Sequence, residues 1–131
     1  MFDHVEVPVS DLAASAAFYR LVLEPLGIEQ THASAERVEL GALSLVRRKP
    51  GERLHFALIA ESPEAVEEFH RRGVEGGYRD NGAPGLRPYA DDYFAAYLND
   101  PDGHNVEAVH HSRGTRARWS WLGLGLVRDD V

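Results

Sequence analysis

Two histidines and one glutamate stand where they could bind a metal ion together. His4 and His55 each stand at the start of a short segment in which apolar residues alternate with others. When the sequence is aligned with itself at an offset of 51 residues, His55 matches His4. Glu107 has apolar neighbours, so its ionised side chain would be costly to bury unless it is paired or metal-bound. Imidazole nitrogen and carboxylate oxygen suit Fe, Mn, Ni, Co or Zn. We therefore predict that His4, His55 and Glu107 hold one divalent ion, with positions left open for a substrate.

Each of these residues alone has a more ordinary explanation. A single histidine on a strand is more often a hydrogen-bonded structural residue, and a single glutamate is more often a solvated residue on an edge strand. The matching register of the two histidines is what favours a metal site. The other histidines lack such a match and are interpreted as surface or tail residues: His32, His70, His104, His110 and His111.

The segment that begins at His4 predicts a strand and then a helix. Valines alternate with other residues from Val5 to Val9, which is typical of a half-buried strand, and Ser10 with Asp11 offers a helix N-cap. Apolar residues then recur at helical spacing until Pro25 and Gly27 end the helix. Three short strands are predicted to follow, near 28–33, 36–40 and 43–48.

The same order of elements starts again at Leu54. A strand is predicted over 54–60, then a helix with Ser62 as N-cap, Pro63 at its first position and Gly73 as C-cap. The offset of 51 residues also sets Phe69 on Phe18, so the halves are interpreted as duplicates. Further strands are predicted near 77–79, 93–99 and 105–110, the last two joined by the turn sequence of residues 100–103. Each half then has the order β-α-β-β-β.

Length and composition predict one domain over residues 1–131. Its parts are a first module of about 1–50, a second of about 52–111 and a tail of 112–131. The loop from Asp80 to Asp92 is rich in Gly and Pro, and it either covers a binding site or is a surface excursion. The tail carries Trp119, Trp121, Leu122, Leu124 and Leu126, so we expect it to pack on its own domain or on a partner subunit.

Charge and residue usage exclude several classes of function. The net charge of −7 disfavours binding to nucleic acid. Cysteine is absent, so neither disulfides nor a thiolate nucleophile are available, and any metal ligands must be nitrogen or oxygen. No apolar run approaches the roughly 18 residues of a membrane span. We expect a cytoplasmic protein with no membrane association.

Several short motifs stand out along the chain. They are Asp3-His4-Val5, Ser10-Asp11-Leu12, Phe18-Tyr19, Leu54-His55-Phe56-Ala57 and Asp100-Pro101-Asp102-Gly103-His104-Asn105-Val106-Glu107. Together they resemble the vicinal oxygen chelate superfamily, which contains glyoxalase I, extradiol dioxygenases, fosfomycin-resistance proteins and bleomycin-binding proteins. The resemblance covers about residues 3–110, and residues 77–93 are similar to a loop of small glyoxalase-like bacterial members without an assigned function.

The resemblance implies an α+β fold in which two βαβββ modules form a cupped mixed sheet around a divalent ion. It carries the ligand roles over to His4, His55 and Glu107. Glyoxalase I usually has a further carboxylate ligand late in its first module, and aligning Gly41 with Gly103 puts Leu45 in that position. Glyoxalase I is therefore disfavoured, and the ligand set is more similar to that of extradiol dioxygenases and fosfomycin-resistance enzymes.

The resemblance also implies roles for residues around the metal. Tyr97 matches a tyrosine that dioxygenases place beside the metal, so it is the candidate catalytic residue, although a tyrosine on such a strand is more often a packing residue. Tyr89, Tyr93 and Arg87 are candidates for substrate binding, and with Arg79 they could anchor an anionic substrate; ordinary surface roles are as well supported.

Two functional hypotheses follow from the sequence. The first is a metal-dependent enzyme that chelates two oxygens of a small organic substrate, of the lyase or isomerase, dioxygenase or thiol-transferase type. The second is a non-catalytic protein that binds or sequesters a small molecule, as bleomycin-binding relatives do. Retention of all three ligand types favours the enzyme. A homodimer is expected, because family members commonly pair modules across subunits and because the apolar tail needs cover.

Overall fold

The computed structural model describes residues 2–112, 119–121 and 126–128. Residues 2–112 form two βαβββ modules, which confirms the α+β class. The first module contains β1 (Val5–Val9), α1 (Leu12–Leu23), a 3₁₀ turn (Glu24–Leu26), β2 (Gln30–Ala33), β3 (Arg37–Leu40) and β4 (Leu43–Arg47). The second contains β5 (His55–Ile59), α2 (Pro63–Glu75), β6 (Arg79–Leu86), β7 (Phe94–Asn99) and β8 (Asn105–His110).

The tail contributes a short antiparallel pair, β9 (Trp119–Trp121) and β10 (Leu126–Arg128). The expected packing of its apolar side chains lies outside the described residues. Among those residues, no helix combines the length and the hydropathy that a transmembrane segment requires.

Both modules use the same sheet topology. The strand orders are β1-β4-β3-β2 and β5-β8-β7-β6. In each sheet the first and last strands of the module are parallel neighbours, and the remaining pairs are antiparallel. β1 and β5, the strands that begin with or directly follow the candidate histidines, are therefore edge strands, while β8 with Glu107 lies inside its sheet.

Both helices begin where the sequence predicts. The Asp11 side chain accepts a hydrogen bond from the Ala14 amide to start α1, and Gly27 ends the turn after it with a φ of 76°. Ser62 caps α2 in the same way and Pro63 takes its first position. The prediction of Gly73 as C-cap is wrong, because α2 continues to Glu75. Gly73 is buried, and a Cβ there would lie 2.4 Å from Leu98 Cδ1, so this glycine lets the helix approach β7.

The predicted loop from Asp80 to Asp92 is mostly strand. β6 runs from Arg79 to Leu86, and it pairs with β7 through irregularities between Asp80 and Gly82 and between Gly82 and Gly85. A β-bulge adds a residue without ending the pairing, so the Gly and Pro residues that indicate a loop are accommodated within the strand.

The inner faces of both sheets and the two helices share one hydrophobic cluster. Phe18 and Phe69, matched by the sequence offset, are both fully buried. The Phe18 ring packs edge-on against Tyr19 of its own module and Tyr78 of the second, with centroids 4.8 and 4.7 Å apart. The modules therefore bury a common core.

A polar network, buried at Tyr19, Asp100 and His104, also joins the modules through the turn of residues 100–103. Tyr19 donates a hydrogen bond of 2.6 Å to Asp100, and Ser10 donates through its hydroxyl to Asp102 at 2.6 Å. His104 is fully buried, with Nδ1 accepting from the Leu54 amide and Nε2 lying 2.9 Å from the Pro8 carbonyl oxygen. The interpretation of His104 as a surface residue is therefore wrong, since its ring connects the two modules.

Candidate metal centre

Glu107 lies on the middle of the second sheet and faces away from the helices. Its neighbours Val106 and Ala108 belong to the hydrophobic core, so alternation along β8 turns the glutamate to the outer face. Its register partners are Ala57 on β5 and Tyr97 on β7. The Glu107 side chain is only 3% exposed, although neither α1 nor α2 packs on this face. It is not the solvated edge-strand carboxylate of the ordinary explanation.

The neighbours of Glu107 are a histidine and a phenol. His55 Nε2 lies 2.9 Å from Oε1, and the Tyr93 hydroxyl donates a short hydrogen bond to Oε2. Among the described residues, no lysine or arginine forms an ion pair with this carboxylate, whereas Glu6, Glu36 and Glu68 each pair with an arginine. Among the described residues, the buried Glu107 carboxylate thus has neither a lysine nor an arginine partner.

The spacing of the donor atoms of His55 and Glu107 fits a shared metal ion. Two bonds of about 2.1 Å at a right angle place their donor atoms about 3 Å apart. The measured 2.9 Å between Nε2 and Oε1 is compatible with that value. The His55 side chain is 56% exposed, so its nitrogen is accessible from solvent. One nitrogen and one oxygen donor also match the preferences of the metals named above.

His4 lies apart from this pair within one chain. It directly precedes the edge strand β1, its side chain is 53% exposed, and its Nδ1 lies 2.8 Å from Oδ1 of Asp3. In the described part of the chain, no group of three or more His, Cys, Asp or Glu side chains is arranged to hold a metal ion. The structure therefore brings together two of the three predicted ligands.

A cavity of about 350 Å³ opens above the His55–Glu107 pair. The four residues that the sequence proposes for substrate or catalysis, Tyr97, Tyr89, Tyr93 and Arg87, all line it. Asn81 and Asn105 line it as well, although neither is among the residues predicted from the sequence. Asn105 lies two residues before Glu107 in the same motif, so strand alternation could have predicted that both side chains share one face. The lining residues are His55, Asn81, Arg87, Tyr89, Tyr93, Tyr97, Asn105 and Glu107.

Three of the eight residues that line the cavity are tyrosines. Tyr89 packs edge-on against Tyr93 with centroids 5.1 Å apart, and Tyr93 stacks on His111. The Tyr97 ring lies 6.2 Å from the His55 ring. Burial, and then the nearby Glu107 carboxylate, raises the pKa of both Tyr93 and Tyr97 above that of free tyrosine. Both phenols therefore stay protonated at neutral pH and can donate hydrogen bonds.

Arg87 places a positive charge at the cavity. Its guanidinium carbon lies 5.3 Å from the centroid of the Tyr97 ring, which is within the range of a cation–π contact. Its amino groups donate to the main-chain oxygens of Ala83 and Leu86, at 2.7 and 3.4 Å. These contacts hold the side chain over the tyrosine.

The first module has no carboxylate at the position equivalent to Glu107. The equivalence follows from register: Glu107 pairs with Ala57, two residues after His55, and Ser44 pairs with Glu6, two residues after His4. Ser44 therefore takes this position. The predicted Leu45 is wrong by one residue and points into the core. The expected lack of a carboxylate at this position is confirmed, because the residue there is a serine.

The family model of the Glyoxalase/Bleomycin resistance protein/Dioxygenase superfamily matches residues 1–108. The chain belongs to this superfamily. A solved glyoxalase/bleomycin resistance protein from Albidiferax ferrireducens T118 is 32% identical, with a TM-score of 0.72, and the match covers 84% of this chain and 98% of that one. No protein of curated function matches the sequence.

More distant superfamily structures share the fold. The lactoylglutathione lyase from Agrobacterium tumefaciens is 21% identical with a TM-score of 0.66, over 84% of this chain and 92% of that one. A protein described as oxidase ChaP-H2 is 24% identical with a TM-score of 0.62, over 85% and 93%. The superfamily fold thus occurs in proteins described as a lyase and as an oxidase.

Proposed function

We propose that this superfamily member is a metal-dependent enzyme acting on a small organic substrate through two adjacent oxygens. The ligands are His55 and Glu107 of one chain and His4 of a second copy. The observation that carries the proposal is the Glu107 carboxylate, which is buried on the outer sheet face beside His55 and has no lysine or arginine partner in the described part of the chain. Burying such a charge is costly unless it has a function that needs it.

The edges of the two sheets support a site shared between two copies. β1 and β5 are both edge strands, and edge strands that carry apolar side chains tend to pair with another chain. Phe2, Val5 and Ile59 are apolar, exposed and on or next to these edges. If β1 of one copy lies beside β5 of the other, the region of His4 approaches His55 and Glu107. The same pairing occurs twice in a twofold dimer, which then has two equivalent sites.

The chain's own residues would bind and orient the substrate. A divalent ion at this site would act as a Lewis acid toward the substrate oxygens. Tyr97 would donate a hydrogen bond to substrate, Tyr93 would fix the orientation of Glu107, and Arg87 would attract a negatively charged group. The tyrosine walls would exclude water from one side. Because Ser44 supplies no carboxylate base, this arrangement supports reactions other than that of glyoxalase I. The absence of cysteine supports a cytoplasmic location.

Complementation between two inactive variants tests the shared site. His4→Ala and Glu107→Ala are prepared with different affinity tags, and the heterodimer is isolated after refolding a mixture. Each variant alone should lose the metal, measured by elemental analysis of protein purified without chelators or an affinity metal column. The heterodimer should regain one ion per two chains, because one of its two sites then has all three ligands. His32→Ala, a change of an exposed histidine outside the cavity, is the matched control.

Three results would contradict the proposal. Full metal occupancy in His55→Ala would show that His55 is not a ligand. Failure of the heterodimer to regain metal would show that the site is not shared between two copies. Wild-type protein that binds none of Mn, Fe, Ni, Co and Zn, and is not stabilised by them, would favour the non-catalytic binding protein instead. A thermal-shift screen of catechols, thiol adducts of 2-oxo aldehydes and fosfomycin with the metal-loaded protein then narrows the substrate.

A further inference from the structure

A row of polar residues crosses the whole second sheet from the candidate metal ligand to an arginine. His55 on β5 pairs in register with Asn105 on β8, Asn105 pairs with Asn99 on β7, and Asn99 pairs with Arg79 on β6. Residues directly opposite one another in a sheet project to the same face. The row therefore runs over the outer face and begins at the candidate centre.

A second cavity continues from the first along this row. It has a volume of about 610 Å³ and lies over the ends of β6 and β7 and the turn of residues 100–103. Asn81 lines both cavities and donates a hydrogen bond of 3.0 Å to the Asn105 side chain. The two cavities are thus neighbouring parts of one groove, with amide side chains along its floor.

Two guanidinium groups at the far end of the groove have no carboxylate partner within residues 2–112. Arg53 and Arg79 line the second cavity, and neither forms a salt bridge or hydrogen bond with the described residues. Other arginines do form such pairs: Arg37, Arg47, Arg48, Arg71 and Arg72 each contact a glutamate. Arg53 and Arg79 differ from these five arginines, because no carboxylate of the described residues contacts them.

Two aspartates line the same cavity, but their carboxylate oxygens accept hydrogen bonds from residues other than Arg53 and Arg79. Asp100 is buried and accepts from the Tyr19 hydroxyl and from main-chain amides of its own turn. Both oxygens of Asp102 accept from Ser10, through its hydroxyl and its amide. Neither aspartate forms an ion pair with Arg53 or Arg79, so the guanidinium donors remain available to a ligand.

We infer that Arg53 and Arg79 form an anion subsite that holds the far end of the substrate. The inference rests on the proposed function for the near end, where the substrate's oxygen pair would bind. Neighbouring strands lie about 4.8 Å apart, so the main chains of His55 and Arg79 are separated by about 14 Å. The substrate is accordingly an extended organic anion, with two adjacent oxygens at one end and a carboxylate or phosphate at the other.

Inorganic phosphate tests the subsite without any metal. We expect metal-free wild-type protein to bind phosphate weakly, seen by isothermal titration calorimetry at low salt. Arg53→Gln and Arg79→Gln should each weaken binding roughly threefold to tenfold, because each removes one charged donor. Both side chains are exposed, so folding is not at risk. Arg71→Gln, which changes an arginine of α2 outside both cavities, is the matched control and should bind phosphate as the wild type does.

A series of ω-carboxyalkyl hydroxamates tests whether the two ends act on one ligand. The hydroxamate chelates a metal through two oxygens, and the carboxylate lies at a distance set by the alkyl chain. With metal-loaded protein, one chain length should bind about tenfold more tightly than its methyl ester. This preference should disappear in the Arg53→Gln/Arg79→Gln double variant, while acetohydroxamate, which has no tail, should bind both proteins equally.

The results separate failure of the subsite from failure of the proposed function. Phosphate binding that is unchanged in both single variants, or acids that never bind more tightly than their esters to metal-loaded wild type, would overturn the subsite. Protein that binds no metal but shows the phosphate effect would overturn the proposed function and leave the subsite supported. A preference for the acid that persists in the double variant would assign the anion contact to another cation and so overturn the inference.

Discussion

The outer faces of the two sheets each carry a glutamate, and the two glutamates have opposite surroundings. Glu6 is 37% exposed and pairs with Arg37 at 3.0 Å and with Arg48 at 3.6 Å. The Arg37 hydrogen bond lowers the pKa of Glu6 below its ordinary value. Glu107 is 3% exposed and contacts His55 and a phenol instead. The two sheets share a topology, but Glu6 pairs with two arginines, whereas Glu107 is buried with no arginine or lysine partner among the described residues.

This difference shows how two modules of the same topology can present one candidate metal-binding face per chain. The backbone register is the same in both modules, so the positions of Ser44 and Glu107 are equivalent. On the first face, Arg37 donates to both Ser44 and Glu6 and fills this position with a neutral, hydrogen-bonded cluster. On the second face the position holds the carboxylate itself. A few side chains therefore separate a structural face from a candidate chemical one.

The largest expected effects lie in the core, where the two modules should behave alike. Phe18→Ala and Phe69→Ala should each lower the free energy of unfolding by roughly 3–5 kcal/mol, because both rings are fully buried. Urea unfolding followed by circular dichroism and by tyrosine fluorescence measures this. Both variants should unfold in a single transition, because the rings belong to one cluster. Glu67→Ala, an exposed change on α2, is the control; separate transitions for the two modules would contradict a common core.

The next effect separates the two glutamates. Glu107→Gln keeps the size of the side chain and removes its charge, so metal affinity should fall by more than about a hundredfold. Glu6→Gln is the matched change on the other sheet and should leave metal affinity within a factor of about three. Competition with a chromogenic chelator measures both. Loss of affinity in Glu6→Gln with retention in Glu107→Gln would reverse the assignment of the ligand face.

A smaller effect tests the polar link between the modules. Tyr19→Phe removes the donor to Asp100 and should cost about 1–3 kcal/mol of unfolding free energy, because a buried acceptor loses its partner. Burial, and then Asp100, raises the pKa of Tyr19 well above that of free tyrosine. The Tyr19 contribution is therefore fully present below the unfolded pKa of about 10 and is lost as the pH rises above it.

The control for this prediction is the pH profile itself. Chemical unfolding measured at a series of alkaline pH values should show a steeper loss of stability in the wild type than in Tyr19→Phe. Identical slopes would show that the Tyr19 hydroxyl does not contribute to the alkaline loss.

The smallest expected effect concerns the phenol that contacts Glu107. Tyr93→Phe removes only the hydroxyl and should weaken metal binding about tenfold, since it frees the ligand carboxylate to rotate. Tyr89→Phe changes a neighbouring tyrosine that does not contact Glu107, and it should have no effect. The melting temperature of the metal-free protein should be similar in both variants, which separates positioning of the ligand from general stability. Equal metal affinity in Tyr93→Phe and wild type would contradict the positioning role.

Local signals predicted much of this molecule. Alternation of apolar residues places His55 at the start of β5 and Glu107 inside β8, and cap residues place both helix starts. The glycine-rich segment after Arg79 has the composition of a loop, which is what the sequence predicts. Composition does not show that irregularities between Asp80 and Gly82 and between Gly82 and Gly85 leave β6 paired with β7. The prediction of Leu45 for the position of Ser44 followed an alignment of two turns, and an error of one residue changes the face of a strand.

Long-range contacts were beyond the reach of the sequence. The burial of His104 depends on the Pro8 carbonyl of the other module, which no local pattern indicates. Whether His4 lies close to His55 and Glu107 depends on how the two kinds of sheet are arranged in space. Strand periodicity does not specify that arrangement. The pairing of Tyr93 with Glu107 follows from the path of the chain after β6, which the loop prediction had left undefined.

The contact between Gly73 of α2 and Leu98 of β7 determines how closely the helix packs against the strand that lies under the cavity. Leu98 lies next to Tyr97 on β7, with its side chain on the helix side of the sheet. A methyl group added at Gly73 would lie 2.4 Å from Leu98 Cδ1, so the buried Leu98 side chain, or the strand that carries it, would have to shift. Under the proposed function, Gly73→Ala would then alter the shape of the cavity, and with it the choice of ligand, from a helix on the opposite side of the sheet.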